Sequence, residues 1–316
     1  MNSLNKVALL VGGLLFINGC STLKKTWNEA NVFPVSQDVE LGKQVYDEIL
    51  SNPTEYPIVP EAGNEELYSY VRGIVKKILN TGKVNYSTQF AWKVSLVNNE
   101  KIQNAFATPG GYIFVYTGLM KFLDSEDQLA GVLAHEIAHA AQRHSTRQLT
   151  KILGVQALAD AAFGKKETIK QVATAVVGLQ FSRDHETEAD SFSVKYLCPT
   201  SYNAAGAAGF FKKIAGQPTP PQWLSTHPNP SNRIKNIENK SIALQCSGKD
   251  TYQTRYTQIK ALITKIPPPT IPQGSQLPKN TNANQGKDSS GKPAPTGNQS
   301  GTGAAPGTKL EKKKPN

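Results

Sequence analysis

The chain has 316 residues, 38% of them hydrophobic and 19% charged, with 35 Lys and Arg against 24 Asp and Glu. That balance suits one sizeable globular core with a polar extension. Much of the +11 net charge is terminal, because from Ile266 onward seven lysines face only Asp288 and Glu311. The body is only mildly basic and shows no Arg/Lys stripe interleaved with aromatics, so no nucleic-acid partner is expected.

The N-terminus reads "MNSLNKVALLVGGLLFINGC". Its apolar run from Val7 to Ile17 is too short to cross a bilayer and has the form of a secretory signal peptide over residues 1–19. Ile17-Asn18-Gly19-Cys20 resembles the lipobox of bacterial lipoproteins, which would make Cys20 the lipidated first residue and the N-terminal lipid the contact with the membrane. Several acyl chains anchor stably where one is marginal. Of three cysteines, Cys198 and Cys246 then remain as an even pair in an oxidising compartment, and a disulfide between them is expected.

Residues 20–35 read as a tether and 36–265 as the folded domain. A first helix starts near Ser36, with Leu41, Val45 and Ile49 on one face. Pro53, Pro57 and Pro60 interrupt it, and Leu67, Tyr70, Val71, Ile74, Ile78 and Leu79 form a second helical stripe. "FAWKVSLV" and "GGYIFVYTGLM" read as strands. Ser125 opens a helix whose first turn carries Glu126 and Asp127, suited to the helix dipole. Residues 148–181 read as two mildly apolar helical segments separated by "FGKKE", neither long enough to span a membrane. Further helices are expected through Glu186–Leu197, through "NAAGAAGFFKKIAG", and last after the proline-rich "QPTPPQWLSTHPNPSN". Residues 266–316 are rich in Pro, Gly, Ser, Asn and Lys and are expected to stay disordered, since too little apolar surface is available to offset ordering entropy.

The chemistry centres on "VLAHEIAHAAQRH". Positions four apart on a helix lie about 40° apart, so His135 and His139 project from one face and can reach one ion. Glu136 sits beside that face, placed to take a proton from an attacking water and return it to the leaving amine. A catalytic zinc needs a third protein ligand and an open position. His144 follows His139 by five, about 140° off the ligand face if the helix continues through Ala141 and Gln142, which makes it surface or structural. "FSRDHETEADSF" supplies the remaining candidates. Glu186 and Asp190 share a face, so Glu186 is assigned as the ligand and Asp190 as the residue that orients a ligand histidine through its other ring nitrogen. His185 is expected to turn away into solvent.

"HEIAHAAQRHS", "SRDHETEADSF", "NAFATPGGYIFVYTGLM" and "STHPNPSNRI" together resemble the HtpX and CAAX prenyl protease family of zinc metallopeptidases, over roughly residues 36–240. The resemblance implies Zn²⁺ on His135, His139 and Glu186, with Glu136 as general base. Lacking transmembrane helices, the chain is closer to the soluble periplasmic lipoprotein branch. That branch implies unfolded or misassembled envelope proteins as substrates and contact with outer-membrane assembly machinery, although a tail stands where some members carry helical repeats. Asn104, Ala105, Phe106 and Ala107 precede a strand beside which substrate could add as a further strand, or they form a plain turn and core strand. His227 could stabilise an oxyanion, plug the zinc at rest, or merely cap its loop, and Arg233 could anchor that loop through an ion pair.

The expectation is therefore an α+β, mostly helical zincin-like fold with a small antiparallel sheet. It would serve as a metalloendopeptidase lipid-anchored at the outer membrane of a bacterial envelope and facing the periplasm. The alternative is a chaperone-like lipoprotein whose latched zinc site rarely cuts.

Overall fold

The computed structural model describes residues 33–215, 217, 221–228 and 232–269. The expected signal peptide, the expected lipidation site Cys20, nearly all of the expected tether and the tail beyond residue 269 lie outside the described residues.

Helix α1 (Val35–Leu50) buries Leu41, Val45, Tyr46 and Ile49 on one face, and α2 (Glu65–Leu79) buries Leu67, Tyr70, Val71, Ile74 and Ile78. Three short strands follow: β1 (Lys93–Val97), β2 (Ala105–Thr108) and β3 (Tyr112–Tyr116). They form one sheet in the order β1-β3-β2. β2 and β3 make an antiparallel hairpin, whereas β1 lies parallel to β3, so the sheet is mixed and not wholly antiparallel. The reason is topological. The tight Pro109–Gly111 turn places β3 beside β2, and β1 fills the remaining edge of β3, pointing the same way.

Side-chain alternation along β3 sends Ile113 and Val115 to one face and Tyr112, Phe114 and Tyr116 to the other. The first face joins the core under α2 and the central helix α4 (Glu126–Ala141), and the second joins α1 and the 148–181 region. That region holds three helices, α5 (His144–Leu153), α6 (Val155–Ala162) and α7 (Lys166–Val177), because Gly154 breaks the first expected segment in two. Among the described residues no helix is long and apolar enough to cross a membrane.

A short helix α3 (Thr117–Phe122) leads from β3 to α4. α4 is buried along almost its whole length, with Leu129, Leu133 and Ile137 fully enclosed. Burial of each such side chain stabilises by roughly 1.5–3 kcal/mol. It packs on α8 (Arg183–Leu197), α9 (Gly206–Ala215) and β2. The approach to α9 is close enough that a Cβ on Gly131 would fall 2.3 Å from the backbone nitrogen of Ala207. A one-turn helix α10 (Trp223–Thr226) and helix α11 (Arg233–Ala243) complete the wall around α4. A final helix, α12 (Gln253–Thr264), had no counterpart in the sequence reading, and it buries Tyr256, Ile259 and Ile263. The expected disulfide joins Cys198, at the end of α8, to Cys246 beyond α11.

Candidate metal centre

α4 presents His135 and His139 from one side, as the four-residue spacing requires, and α8 brings Glu186 across from them. His135 Nε2 and His139 Nε2 are 2.9 Å apart, and they lie 3.6 Å and 3.3 Å from Glu186 Oε2 and Oε1. All three side chains are buried.

The ring nitrogens that face away are held as well. Asp190 Oδ1 accepts from His135 Nδ1 at 2.9 Å, which leaves the Nε2 lone pair pointing at Glu186. Arg233, itself buried, grips Asp190 with two hydrogen bonds of 2.6 and 2.7 Å. Its Nη1 lies 2.9 Å from Glu186 Oε2 without the alignment of a hydrogen bond. The Arg233 guanidinium also stacks over Phe211 and Trp223. Arg233 is thus the ion-paired anchor suspected from sequence, and its partners are the site carboxylates.

The donor set fits a divalent cation. Both Glu186 carboxylate oxygens are buried and make no hydrogen bond. A buried carboxylate without an aligned hydrogen bond is costly, even with the Arg233 guanidinium beside it. Tetrahedral ligands at 2.0–2.1 Å from one ion stand about 3.3 Å apart, within the range of the spacings found here. A fourth donor, His227, joins the three within a sphere where all ligand atoms lie within 4.8 Å of one another.

His227 follows α10. Its Nδ1 lies 2.8 Å from the Thr226 hydroxyl and 3.2 Å from the Trp223 carbonyl, which can only accept, so Nε2 is left without a proton. That Nε2 is buried and has no hydrogen-bond partner. Burial holds the ring neutral, with its pKa pulled down to about 3. The imidazole stacks flat on the Trp223 indole, with centroids 4.2 Å apart. Phe181 stacks on His139 at 3.9 Å.

Glu136 lies on the inner side of this group. Burial raises its carboxyl to about 7, against the opposing pull of His135. Trp223 Nε1 donates to Glu136 Oε1 at 3.1 Å, and the backbone N–H of Ala107 also points at the carboxylate. Trp223 is a residue of this candidate site that sequence reasoning does not reveal. It sits four residues before His227 in a proline-rich stretch with no periodicity to betray its direction.

Strand β2 contains Ala105, Phe106 and Ala107, directly after Asn104. Tyr116 N–H donates to the Asn104 carbonyl, so Phe106 faces β3 through its backbone while Ala105 and Ala107 present theirs to the free edge. Here that edge is covered: Trp223 N–H donates to the Gln103 carbonyl at 3.2 Å, and Ser145 Oγ reaches the Ala107 carbonyl. The Phe106 side chain stacks on Phe114 in the core and the Asn104 side chain is buried.

Two details depart from expectation, the continuation of the helix past Ala141 and the solvated His185, while His144 takes the structural one of its two expected alternatives. α4 ends at Ala141 and does not continue through Gln142, and Arg143 takes a left-handed conformation (φ 58°) that reverses the chain. His144 therefore returns to the site, fully buried, with Nδ1 3.0 Å from His139 Nδ1. A surface position for it is ruled out. His185 is not solvated either. It is buried and stacks on His144 at 4.4 Å, because the turn after α4 carries His144 under the first turn of α8. Neither Gln142 nor Arg143 is a residue that announces a left-handed turn.

Comparison with known proteins places this geometry. Residues 66–241 match the model of Peptidase family M48. The chain is 32% identical over 164 residues to the beta-barrel assembly-enhancing protease of Yersinia pestis, covering 46% of this chain and 34% of that protein. It is 33% identical over 156 residues to the mitochondrial metalloendopeptidase OMA1 of Arabidopsis thaliana, covering 48% and 32%. Similarity to OMA1 of Schizosaccharomyces pombe, at 28% identity, extends over 73% of this chain and 69% of that protein. The chain thus spans only about a third of the length of the first two relatives. With more than half of its residues inside the matched segment, the chain belongs to peptidase family M48.

Proposed function

We propose that this protein is a zinc metalloendopeptidase that hydrolyses unfolded or misassembled polypeptides of the bacterial envelope. The observation that carries the reading is the buried set of His135, His139 and Glu186, with the carboxylate oxygens of Glu186 turned to the two Nε2 atoms, beside Glu136. Zinc held there would supply Lewis-acid polarisation of the scissile carbonyl. Glu136, with a carboxyl raised to about 7, suits proton exchange near neutral pH. It takes a proton from the attacking water and delivers it to the leaving amine nitrogen. Asp190 and Arg233 keep His135 oriented.

The free edge of β2 is proposed as the substrate edge, with the backbone groups of Ala105 and Ala107, within the Asn104–Ala107 stretch, pairing with an extended peptide. Main-chain pairing tolerates sequence, which suits unfolded clients. The Trp223–His227 segment must first leave, since it covers that edge and touches Glu136. His227 is read as the resting plug, and Cys20 as the lipid anchor on the periplasmic side, at the outer membrane. The relatives named beta-barrel assembly-enhancing protease support outer-membrane proteins and their assembly machinery as the setting. The resemblance to the soluble branch of the HtpX and CAAX prenyl protease group supports the same setting.

Digestion of a reduced, unfolded model protein by the purified chain with zinc, beside Glu136→Gln, tests the reading. Cleavage by the chain, lost by at least about 100-fold in the variant with zinc still bound one per chain, is the expected result. Zinc bound with no cleavage by either protein would favour the second reading, a chaperone-like protein with a latched site, for which the covered β2 edge speaks.

A further inference from the structure

His139 is the one histidine of the motif whose outer ring nitrogen meets no carboxylate directly. Its Nδ1 meets His144 Nδ1 at 3.0 Å, and His144 Nε2 meets Glu188 Oε2 at 3.1 Å. The direction of this chain is fixed from its outer end. An ionised carboxylate can only accept, so His144 carries its proton on Nε2. The Nδ1 of a neutral His144 is then an acceptor, and the proton between the two rings belongs to His139 Nδ1. His139 Nε2 is left as a bare lone pair, facing Glu186 and His135.

Other contacts hold the rings in place. His185 lies parallel to His144, with centroids 4.4 Å apart and planes 9° from parallel, and Phe181 covers the His139 ring. Arg147 Nη2, 3.6 Å from Glu188 Oε2, favours the ionised carboxylate. His135 has the simpler arrangement, a direct bond to Asp190. The two motif histidines are thus oriented by carboxylates of the same helix α8, one directly and one through an interposed imidazole.

We propose that Glu188 and His144 are positioning residues for metal binding: a carboxylate–imidazole relay that fixes His139 as the Nδ1–H tautomer. The proposal rests on the reading of His135, His139 and Glu186 as a metal site, but the tautomer can be measured without metal. Glu188 makes a suitable test position, since its side chain is 39% exposed and its replacement opens no core cavity.

The experiment uses the full chain with ¹⁵N-labelled histidine. Ring-nitrogen chemical shifts of His139 are recorded zinc-free, and zinc alone is then titrated against a chelator. In the parent chain His139 is expected to be protonated at Nδ1 and bare at Nε2. Glu188→Lys puts a donor where the relay needs an acceptor. It should move the His139 proton toward Nε2 and weaken zinc binding about tenfold, the usual effect of losing an outer partner. Glu188→Gln keeps an acceptor oxygen and should restore the parent tautomer and most of the affinity. An unchanged His139 tautomer in Glu188→Lys overturns the relay, including the case where only the melting temperature falls. A parent chain that binds no zinc would sink the metal-site reading, while the tautomer comparison still decides the relay.

Discussion

His227 Nε2 lies 3.4 Å from Glu136 Oε1, and both side chains are almost wholly enclosed. The proposed base and a histidine from a loop 91 positions later therefore share one closed chamber, and Trp223 caps the same carboxylate. His227 Nε2 is also a bare donor within the ligand group, which gives it the chemistry of a plug.

His227→Ala should accordingly speed cleavage of an unfolded substrate, by about fivefold or more, because a larger fraction of the protein would be competent to bind. Initial rates at equal zinc occupancy check this. A loss of about 100-fold would instead assign His227 to oxyanion stabilisation.

The Glu136 carboxyl sits near 4.5 when exposed and about 7 in the folded chain, through burial. A raised folded value means that the native state binds the proton more tightly. The stabilisation it gives is fully present below pH 4.5 and is lost as pH rises through 7. Glu136→Gln, which cannot ionise, should stabilise the zinc-free chain relative to its parent above pH 7, by on the order of 3 kcal/mol. Below pH 4.5 the gain should vanish. Urea unfolding of the zinc-free pair across that range measures the difference, and a gain independent of pH would refute the burial account.

Gly131 lies one turn before His135, where α4 meets α9. Gly131→Ala improves helix propensity by about 1 kcal/mol. The added methyl would nevertheless stand 2.3 Å from Ala207 N, a backbone atom that cannot swing aside. Overpacking of this kind costs about 1–3 kcal/mol. A lower urea midpoint is expected, with reduced zinc affinity as α4 shifts. A stabilised variant would show that the two helices have room to part.

Cys198 and Cys246 close a loop with a sequence separation of 48 between α8, which carries Glu186 and Asp190, and the end of α11. Replacing both by Ser should cost about 4 kcal/mol in the chain-entropy account. Thermal unfolding of the variant should match that of the parent in reductant. Coincidence of the variant with the oxidised parent would mean that the bridge adds no stability.

The sequence by itself determined most of the helices and which candidate site residues share a helix face. Apolar spacing marked α1 and α2, and the four-residue rhythm of His135 and His139, and of Glu186 and Asp190, fixed which side chains share a face. Such relations are local, set by 3.6 residues per turn. Only the tertiary structure decided what depends on how the chain turns between elements. The left-handed Arg143 brought His144 back beneath His139, and packing of α8 over that turn enclosed His185. The Trp223–His227 segment found Glu136 across the molecule, and β1 settled parallel to β3. No periodicity encodes these outcomes. They follow from which buried surfaces and hydrogen-bonding groups find partners once the helices have packed.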